Sequence, residues 1–318
     1  MSDRQPKQGA IRIGISGWRY EGWRGEFYPA GLQQRRELEY ASRRLPSIEL
    51  NGTFYSLQRP ESYAAWYRDT PEGFVFSVKG GRHVTHVRRL KDVEQPLANF
   101  FASGVLDLRE KLGPFLWQLP PSMRFDAERI DAFLSLLPRT TSEALTLARR
   151  RQDWMAGRSR LVIDADRPLR HAVEVRNESF VDETFAALLR RHRVALVIAD
   201  TAGKWPYRED VTADFLYLRL HGETELYASG YTEEALDRWA SRIRIWAGGG
   251  EPADARRIAN VGAESLATRD VFCYFDNDVK ARAPFDSRRL MERLGIAWEI
   301  EPAAPWPAAA PIDTQAGK

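Results

Sequence analysis

Eight short segments with strand-like patterns alternate with helical segments along the chain. The strands are predicted at residues 11–18, 48–55, 74–80, 115–120, 171–176, 195–200, 215–222 and 271–276. The helices that follow them are predicted at residues 35–45, 61–69, 92–111, 125–137, 182–192, 232–246 and 285–294. This alternation favours parallel strands joined by crossover helices, and eight such strands close into a barrel. The sequence therefore predicts an α/β fold, a single-domain (β/α)8 TIM barrel with surface insertions.

The main alternative is an open, doubly wound sheet that binds a nucleotide. Such folds carry the pattern GxGxxG after the first strand or the pattern GxxxxGK[ST]. Neither pattern is found in this chain. This favours the closed barrel.

We assign residues 11–300 to the barrel domain. Residues 138–170, which are rich in arginine, and residues 248–270 interrupt the alternation, so both are predicted to be surface insertions. Residues 1–10 are polar, and residues 301–318 are rich in proline and alanine. Both ends are therefore predicted to be disordered.

The composition limits where the protein works and what it binds. Cys273 is the only cysteine, which excludes disulfides within the chain and cysteine-rich metal sites and favours the reducing cytoplasm. Neither an apolar leader nor a run of about 18 apolar residues is found, so secretion and membrane insertion are not predicted. A net charge of +3 and a pI near 9.0 permit anionic ligands without requiring nucleic acid.

The predicted seventh strand, FLYLRLHG, has the clearest difference between its two faces. Successive side chains of a strand point to opposite faces. Leucines occupy one face, which suits packing against a helix. The other face carries Phe215, Tyr217, Arg219 and His221, a gradient from apolar to reactive side chains. We therefore predict that this second face lines the lumen of the barrel.

The same alternation places polar side chains on one face of other predicted strands. They are Glu49, Asn51 and Thr53, then Ser77 and Lys79, Gln118, Glu174 and Arg176, Asp200, and Tyr274 and Asp276. Those at strand ends should lie at the C-terminal mouth, where such barrels hold their chemistry. Cations and carboxylates meet there, so a compensated charge network is predicted, with Glu49 and Tyr217 deeper and structural.

Four residues are predicted to be catalytic and nine to bind the substrate. The catalytic set is Lys79, Glu174, Asp200 and His221. The substrate-binding set is Trp18, Tyr20, Asn51, His86, Gln118, Arg176, Arg219, Asp276 and Asn277. A lysine amine at such a mouth suits a proton carrier, a phosphate anchor or a Schiff base. Imidazoles titrate near neutrality, which suits an acid or base at His221 or His86.

Three features have both a structural and a functional interpretation. The loop after the first strand is rich in aromatic residues, at positions Trp18, Tyr20, Trp23, Phe27 and Tyr28. They suit a stacking wall for a sugar or base, or ordinary packing across the barrel end. The arginines of residues 138–170 suit a solvated surface or contacts with a phosphate backbone. The polar lumen suits a site or a fixed ion-pair core.

Eight strings, in this order, resemble the YecE-like family, a TIM-barrel domain of unknown function. They are GISGWRYEGWRGEFYP, IELNGTFY, FSVKGGRHVTH, LWQLPPS, VEVRNESF, ADT, YLRLHG and YFDND. The resemblance spans residues 11–295 and implies the barrel fold without an activity. The family pattern is similar at most positions named above. Two residues depart from it: Phe180 stands where the pattern has Trp, and Asp276, which adds a negative charge to the mouth, where it has Asn.

Three functions are compatible with this pattern. The first is an enzyme, a hydrolase, lyase or isomerase, that acts on a small anionic or polyhydroxylated substrate by acid–base chemistry and has a pocket of small-molecule size. The second is a barrel that binds or processes nucleic acid along a basic groove. The third is a non-catalytic scaffold with an ion-paired lumen and no open pocket.

No cofactor is predicted. A divalent metal ion held by Glu174, Asp200, Asp276 and His221 is the alternative, although arginines on the same strands would repel it. A small anionic ligand is the expected partner, nucleic acid is the second, and no membrane is expected. The sequence makes no prediction of the oligomeric state.

Overall fold

The structure is a computed structural model that describes residues 8–302 and 304–306. Eight parallel strands form a closed barrel in chain order, each paired to the next and the eighth to the first. The strands are Ile11–Ser16 (β1), Ser47–Leu50 (β2), Val75–Lys79 (β3), Leu112–Gln118 (β4), His171–Glu174 (β5), Ala195–Asp200 (β6), Phe215–Leu220 (β7) and Asp270–Phe275 (β8). The predicted (β/α)8 TIM barrel is confirmed.

α-Helices connect the strands. They are Glu37–Ser42 (α1), Gly52–Tyr55 (α2), Pro60–Asp69 (α3), Glu94–Ala102 (α4), Ala127–Leu136 (α5), Thr141–Ala148 (α6), Glu183–Arg191 (α7), Glu233–Ala247 (α8) and Arg282–Leu294 (α9). Side chains in the sequence fix where several of them start. Asp126, Thr140, Asp182 and Thr232 each accept a hydrogen bond from a backbone amide of the first turn of α5, α6, α7 and α8.

Two apolar layers hold the barrel together. The larger layer lies between strands and helices and includes Leu218 of β7 and Trp246 of α8. The smaller layer fills part of the lumen, and it includes Ala195 and Phe215, the first residues of their strands. Burial of each large apolar side chain contributes about 1.5–3 kcal/mol. Because the lumen is apolar where these strands begin, its charged side chains lie further along, towards the C-terminal mouth.

The second strand is shorter than predicted. β2 ends at Leu50, and α2 follows across the mouth of the barrel. Asn51 and Thr53 therefore follow the strand instead of lying on it, because the Asn-Gly pair after Leu50 favours a turn. The Thr53 hydroxyl donates to the carbonyl oxygen of Lys79 at 2.6 Å, which ties α2 to the end of β3.

Both insertions connect a helix to the strand that follows it, and they therefore lie towards the N-terminal end of the barrel. Residues 138–170 contain α6, which packs against α4, and a bridge joins Thr140 to Pro168. In residues 248–270, backbone amides donate to the buried carboxylates of Glu209 and Asp210. The insertions are thus built into the fold at the end away from the mouth.

The ordered contacts extend beyond residues 11–300. The Gly9 amide donates to the carbonyl oxygen of Ala247 at 3.0 Å. Arg36 donates to the carbonyl oxygen of Ala304 at 3.0 Å, and Trp306 packs against Tyr40. The rest of the predicted disordered ends, residues 1–7, 303 and 307–318, lies outside the described residues.

Gly80 should be intolerant of any side chain. A Cβ atom there would lie 2.2 Å from Cε3 of Trp117, whose ring is fully buried. We expect Gly80→Ala to lower the free energy of unfolding by about 1–3 kcal/mol, the usual cost of overpacking. Urea unfolding followed by tryptophan fluorescence measures the change. Gly81→Ala is the matched control, because its Cβ would have no neighbour nearer than 3.8 Å; equal losses in the two variants would contradict the expectation.

Candidate active site at the C-terminal mouth of the barrel

A cavity of about 790 Å³ opens at the C-terminal end of the strands. Small-molecule sites typically have this size. Nine of the predicted site residues line it: Trp18, Tyr20, Asn51, Lys79, His86, Gln118, Arg176, Arg219 and Asp276. Lys79, Gln118 and Arg219 reach the cavity from strands, as the alternation of side chains predicted, whereas Trp18, Tyr20 and His86 reach it from segments between strands.

Arg219 of β7 is the centre of the charge network. Its guanidinium is 1% exposed and lies 2.9 Å from Glu49, 2.8 Å from Glu174 and 2.9 Å from Asp276. Burial opposes the positive charge, but Glu49, Asp276 and Glu174 outweigh it and raise the pKa of Arg219. One buried cation thus joins carboxylates from three strands or strand ends.

The network keeps its carboxylates ionised. Burial alone would raise the pKa of Glu174, but Arg176 and Arg219 hold it well below its usual value. The same competition, won by Arg219 and His221, lowers the pKa of Asp276. These carboxylates compensate the arginines, as buried charges require.

Arg176 connects this network to the cavity. Its Nε donates to Glu174 Oε1 at 2.6 Å, and its Nη2 donates to Gln118 Oε1 at 2.9 Å. Its guanidinium carbon lies 3.7 Å from the centre of the Trp205 ring. Arg176 is therefore held on three sides while it lines the cavity.

Lys79, at the end of β3, differs from the arginines. Within the described part of the chain its amine makes no hydrogen bond or ion pair, and it lies 4.6 Å from the centre of the Phe54 ring. Burial and the charge of Arg219 lower the pKa of Lys79 to about 8, although nearby carboxylates oppose this shift. Lys79 therefore presents an amine to the cavity that can lose its proton near neutral pH.

His86 lies beside Lys79 in a π-helical turn, His83–Val87. Its Nδ1 is 2.9 Å from the hydroxyl oxygen of Thr85. Burial, Lys79 and Arg176 lower the pKa of His86 to about 4, so its imidazole is neutral at pH 7. A neutral imidazole in the cavity can accept a hydrogen bond or a proton.

Aromatic rings form one wall of the cavity. Trp18 and Trp66 contact each other edge to face, with centroids 5.6 Å apart, and both line the cavity with Phe54 and Tyr55. The other rings of the aromatic loop pack in the core: Trp23, Phe27 and Tyr28 are at most 5% exposed. The stacking interpretation thus applies to the Trp18 end of the loop and the packing interpretation to the rest.

Four predicted site residues do not reach the cavity: Asp200, His221, Asn277 and Glu174. Asp200 shares a strand face with Leu196 and Ile198, which pack outside the barrel, and the Tyr231 hydroxyl donates to it at 3.2 Å. The lumen face of β6 carries apolar residues instead. The predicted placement of Asp200 in the lumen is therefore wrong.

His221 and Asn277 are both fully buried. Asp276 Oδ2 lies 2.9 Å from His221 Nδ1, at an angle too bent for a hydrogen bond. The Asn277 amide donates to Ser229 and Asp286, away from the cavity. Glu174 is also fully buried, but it holds Arg176 and Arg219. Direct contact of His221, Asn277 or Glu174 with a substrate is not supported by this geometry.

The sequence prediction missed several residues of the site. Ser16 donates to Glu49 at 2.6 Å and accepts from Arg219 at 3.0 Å. It could have been found, because it ends β1 on the face with small and polar residues. Arg82 and Asp278 also line the cavity, but both lie in loops, where no alternation marks them.

The carboxylates do not form a metal site in the described residues. No group of three or more His, Cys, Asp or Glu side chains there is arranged to hold a metal ion. The Arg219 guanidinium contacts Glu49, Glu174 and Asp276. It lies where a metal ion bound by these three carboxylates would lie.

Fold and cavity together define a single-domain (β/α)8 barrel protein with a charged site at its C-terminal mouth. The chain belongs to the DUF72 family: a family model described as "Protein of unknown function DUF72" matches residues 12–310. This agrees with the resemblance to the YecE-like family. No helix in the described residues is long and apolar enough to cross a membrane.

Relatives support the family and the fold. The UPF0759 protein YunF of Bacillus subtilis (strain 168) is 29% identical over 116 residues, which are 35% of this chain and 40% of that protein. The chain therefore matches less than half of this curated relative. A DUF72 family protein from Thermotoga maritima MSB8 has a TM-score of 0.66 and 24% identity, covering 90% of this chain and 99% of that one. A DUF72 family protein from Enterococcus faecalis V583 has a TM-score of 0.64 and 17% identity, covering 91% of this chain and 97% of that one.

Proposed function

We propose that the protein is an enzyme that acts on a small anionic or polyhydroxylated substrate by acid–base chemistry in the cavity at the barrel mouth. The observation that carries this proposal is the Lys79 amine, which faces the cavity without a partner among the described residues. A buried cation without a counter-ion is costly, and an anionic ligand would remove that cost.

The neighbours of Lys79 suggest a role for each part of the cavity. Arg176 and the exposed Arg82 would bind an anionic group such as a phosphate or carboxylate. The Lys79 amine, once neutral, or the neutral His86 imidazole would accept a proton. The rings of Trp18 and Phe54 would pack against the apolar face of a sugar. Glu174 and Arg219 would keep this arrangement rigid.

Binding of inorganic phosphate and glucose 6-phosphate, measured by isothermal titration calorimetry, tests the proposal. We expect both to bind at pH 7 and both to bind more weakly above pH 8, because Lys79 loses its charge there. Glucose itself should bind more weakly than its phosphate. Arg293→Gln, on the outer face of α9, is the control and should bind as the wild type does. Absence of heat with both phosphates would contradict the proposal.

A second candidate function is nucleic-acid binding, and one observation favours it. At the cavity rim, Tyr55 is 72% exposed and lies near the exposed Arg19 and Arg82. An aromatic ring with arginines suits stacking and phosphate contacts. The arginine-rich residues 138–170, however, lie towards the opposite end of the barrel. Filter binding of single-stranded DNA at two salt concentrations separates the two functions; no retention at low salt would eliminate this one.

The scaffold alternative has less support. It predicted a lumen without an open pocket, whereas the lumen opens into a cavity of about 790 Å³. Part of the lumen does have the fixed ion pairs that a scaffold requires, around Arg219. Those pairs support the floor of the cavity. We infer that the protein acts in the cytoplasm, with Cys273 buried as a free thiol.

A further inference from the structure

Two carboxyl groups, two residues apart, line the cavity where β8 ends, and their surroundings differ. Asp276 Oδ2 lies 2.9 Å from Arg219 Nη2 and 2.9 Å from His221 Nδ1. Asp278 makes no ion pair with any cation in residues 8–302 and 304–306, and its Oδ1 is buried without a hydrogen-bond partner there. The cations of the network therefore stabilise the charge of Asp276 and leave Asp278 uncompensated.

Tyr20 gives Asp278 a hydrogen-bond acceptor instead of a donor. The Tyr20 hydroxyl lies beside the Asp278 carboxyl, and a hydrogen bond donated by it would lower the pKa of Asp278. The Tyr20 proton is already committed, because the hydroxyl donates to the carbonyl oxygen of Ser16 at 2.5 Å, and a carbonyl can only accept. If Asp278 were ionised, its carboxylate oxygen and the Tyr20 oxygen would both be hydrogen-bond acceptors and would repel each other. A protonated Asp278 can donate to Tyr20 and satisfy both groups.

The charges around Asp278 act in the same direction. Burial raises the pKa of Asp278, and the negative charges of Asp276 and Glu49 raise it further. Arg219 is the cation that opposes this shift, and its guanidinium nitrogens already contact three other carboxylates. Neither cation contact nor donated hydrogen bond compensates a negative charge on Asp278.

We propose that Asp278 is held as a neutral carboxylic acid at neutral pH and is the proton donor of the cavity. The inference rests on the proposed function and identifies which residue donates the proton in its acid–base chemistry. The Asp278 proton passes to an oxygen atom of the substrate as that oxygen departs with the leaving group or gains negative charge. Asp278 then becomes a carboxylate. Lys79 or His86 accepts a proton elsewhere on the substrate, and solvent restores the starting states. The substrate class is one with a protonatable oxygen beside its anionic group.

Infrared difference spectroscopy tests the protonation state without a substrate. The spectrum of the wild type minus that of Asp278→Asn should contain the carbonyl stretch of a protonated carboxyl group at pH 7. That band should shift in D2O and disappear at high pH. Asp276→Asn is the matched control: its difference spectrum should show the loss of ionised carboxylate bands. Absence of the protonated band in the first difference spectrum would overturn the inference.

A second measurement keeps the inference testable if Asp278→Asn folds poorly. Wild-type protein labelled with 13C-aspartate should show an isotope-shifted protonated carboxyl band at pH 7, and Asp278→Glu should show a protonated carboxyl band that the aspartate label does not shift. Inorganic phosphate then separates the two proposals. Between pH 7 and pH 9 its affinity should fall about tenfold more in the wild type than in Asp278→Asn, because ionised Asp278 would repel the anion. An equal fall contradicts the role of Asp278, whereas no phosphate binding at any pH contradicts the proposed function.

Discussion

Replacement of Arg219 by methionine should remove a large part of the stability of the protein at neutral pH. The guanidinium is 1% exposed and lies within 2.9 Å of Glu49, Glu174 and Asp276. Removal of one partner from a buried ion pair typically costs about 3–5 kcal/mol, because the other charge stays buried and uncompensated. Domains of this kind have total stabilities of about 5–15 kcal/mol. Urea unfolding followed by circular dichroism measures the loss.

The pH dependence of Arg219→Met should have the opposite sign to that of the wild type. In the wild type, the fold lowers the pKa of Glu174 and Asp276. Their contribution to stability is therefore complete above their unfolded values of about 4 and is lost as the pH falls through the folded values. Without the guanidinium, burial would raise the pKa of Asp276 above its unfolded value, whereas Arg176 would still lie 2.6 Å from Glu174. The variant should then gain stability as the pH falls from 7 towards 5.

Two controls show whether the effect belongs to the buried network. Arg219→Lys keeps a positive charge but offers one nitrogen where three carboxylates need several, so it should recover only part of the stability. Arg293→Met removes a cation whose partners, Glu233 and Asp237, are 63% and 68% exposed, and it should change little. If Arg219→Met and Arg293→Met had equal stabilities and equal pH profiles, the network would not have the role assigned to it.

The alternation of side chains predicted which residues line the lumen, because one face of each strand in a closed barrel points into the lumen and the other towards the helices. Arg219, Glu174 and Lys79 all point inwards, as their sequence parity indicates. The rule was wrong at Asp200, which lies on the helix-facing side of β6 with Leu196. That strand is apolar on both faces, so its last polar residue carried no information about direction.

Residues beyond the strand ends could not be placed from the sequence. Asp278 and Arg82 reach the cavity from loops, whose paths depend on tertiary contacts. The Trp23 indole, for example, donates to the carbonyl oxygen of Asp278 across the barrel, at a sequence separation that no local pattern reveals. The sequence also did not predict how deeply each side chain is buried. His221 follows the correct parity, yet Arg219 and Asp276 lie beside it, and it is fully buried.

Lys79→Met should stabilise the protein and weaken its binding of phosphate. The fold lowers the pKa of Lys79 from 10.5 to about 8, so the charged amine costs folding energy at pH 7. That cost, roughly 1–3 kcal/mol, should disappear with the amine. In the wild type the same cost should fade as the pH rises from about 8 to 10.5, and stability from this group should increase over that interval. The variant should lack this increase, which thermal unfolding at several pH values would show.

Phosphate affinity should fall by roughly 10- to 100-fold in Lys79→Met, which is the value of one charge-assisted hydrogen bond. Lys111→Met is the matched control. Its amine is also partly buried, but it donates to the carbonyl oxygens of Tyr67 and Thr70, both at 2.7 Å. Loss of that amine leaves two carbonyl groups without their donor, so this variant should be less stable and bind phosphate normally. The two variants should thus change stability in opposite directions, and only Lys79→Met should lose phosphate affinity. A Lys79→Met protein that loses stability as Lys111→Met does, and still binds phosphate, would show that the Lys79 amine supports the fold and not a ligand.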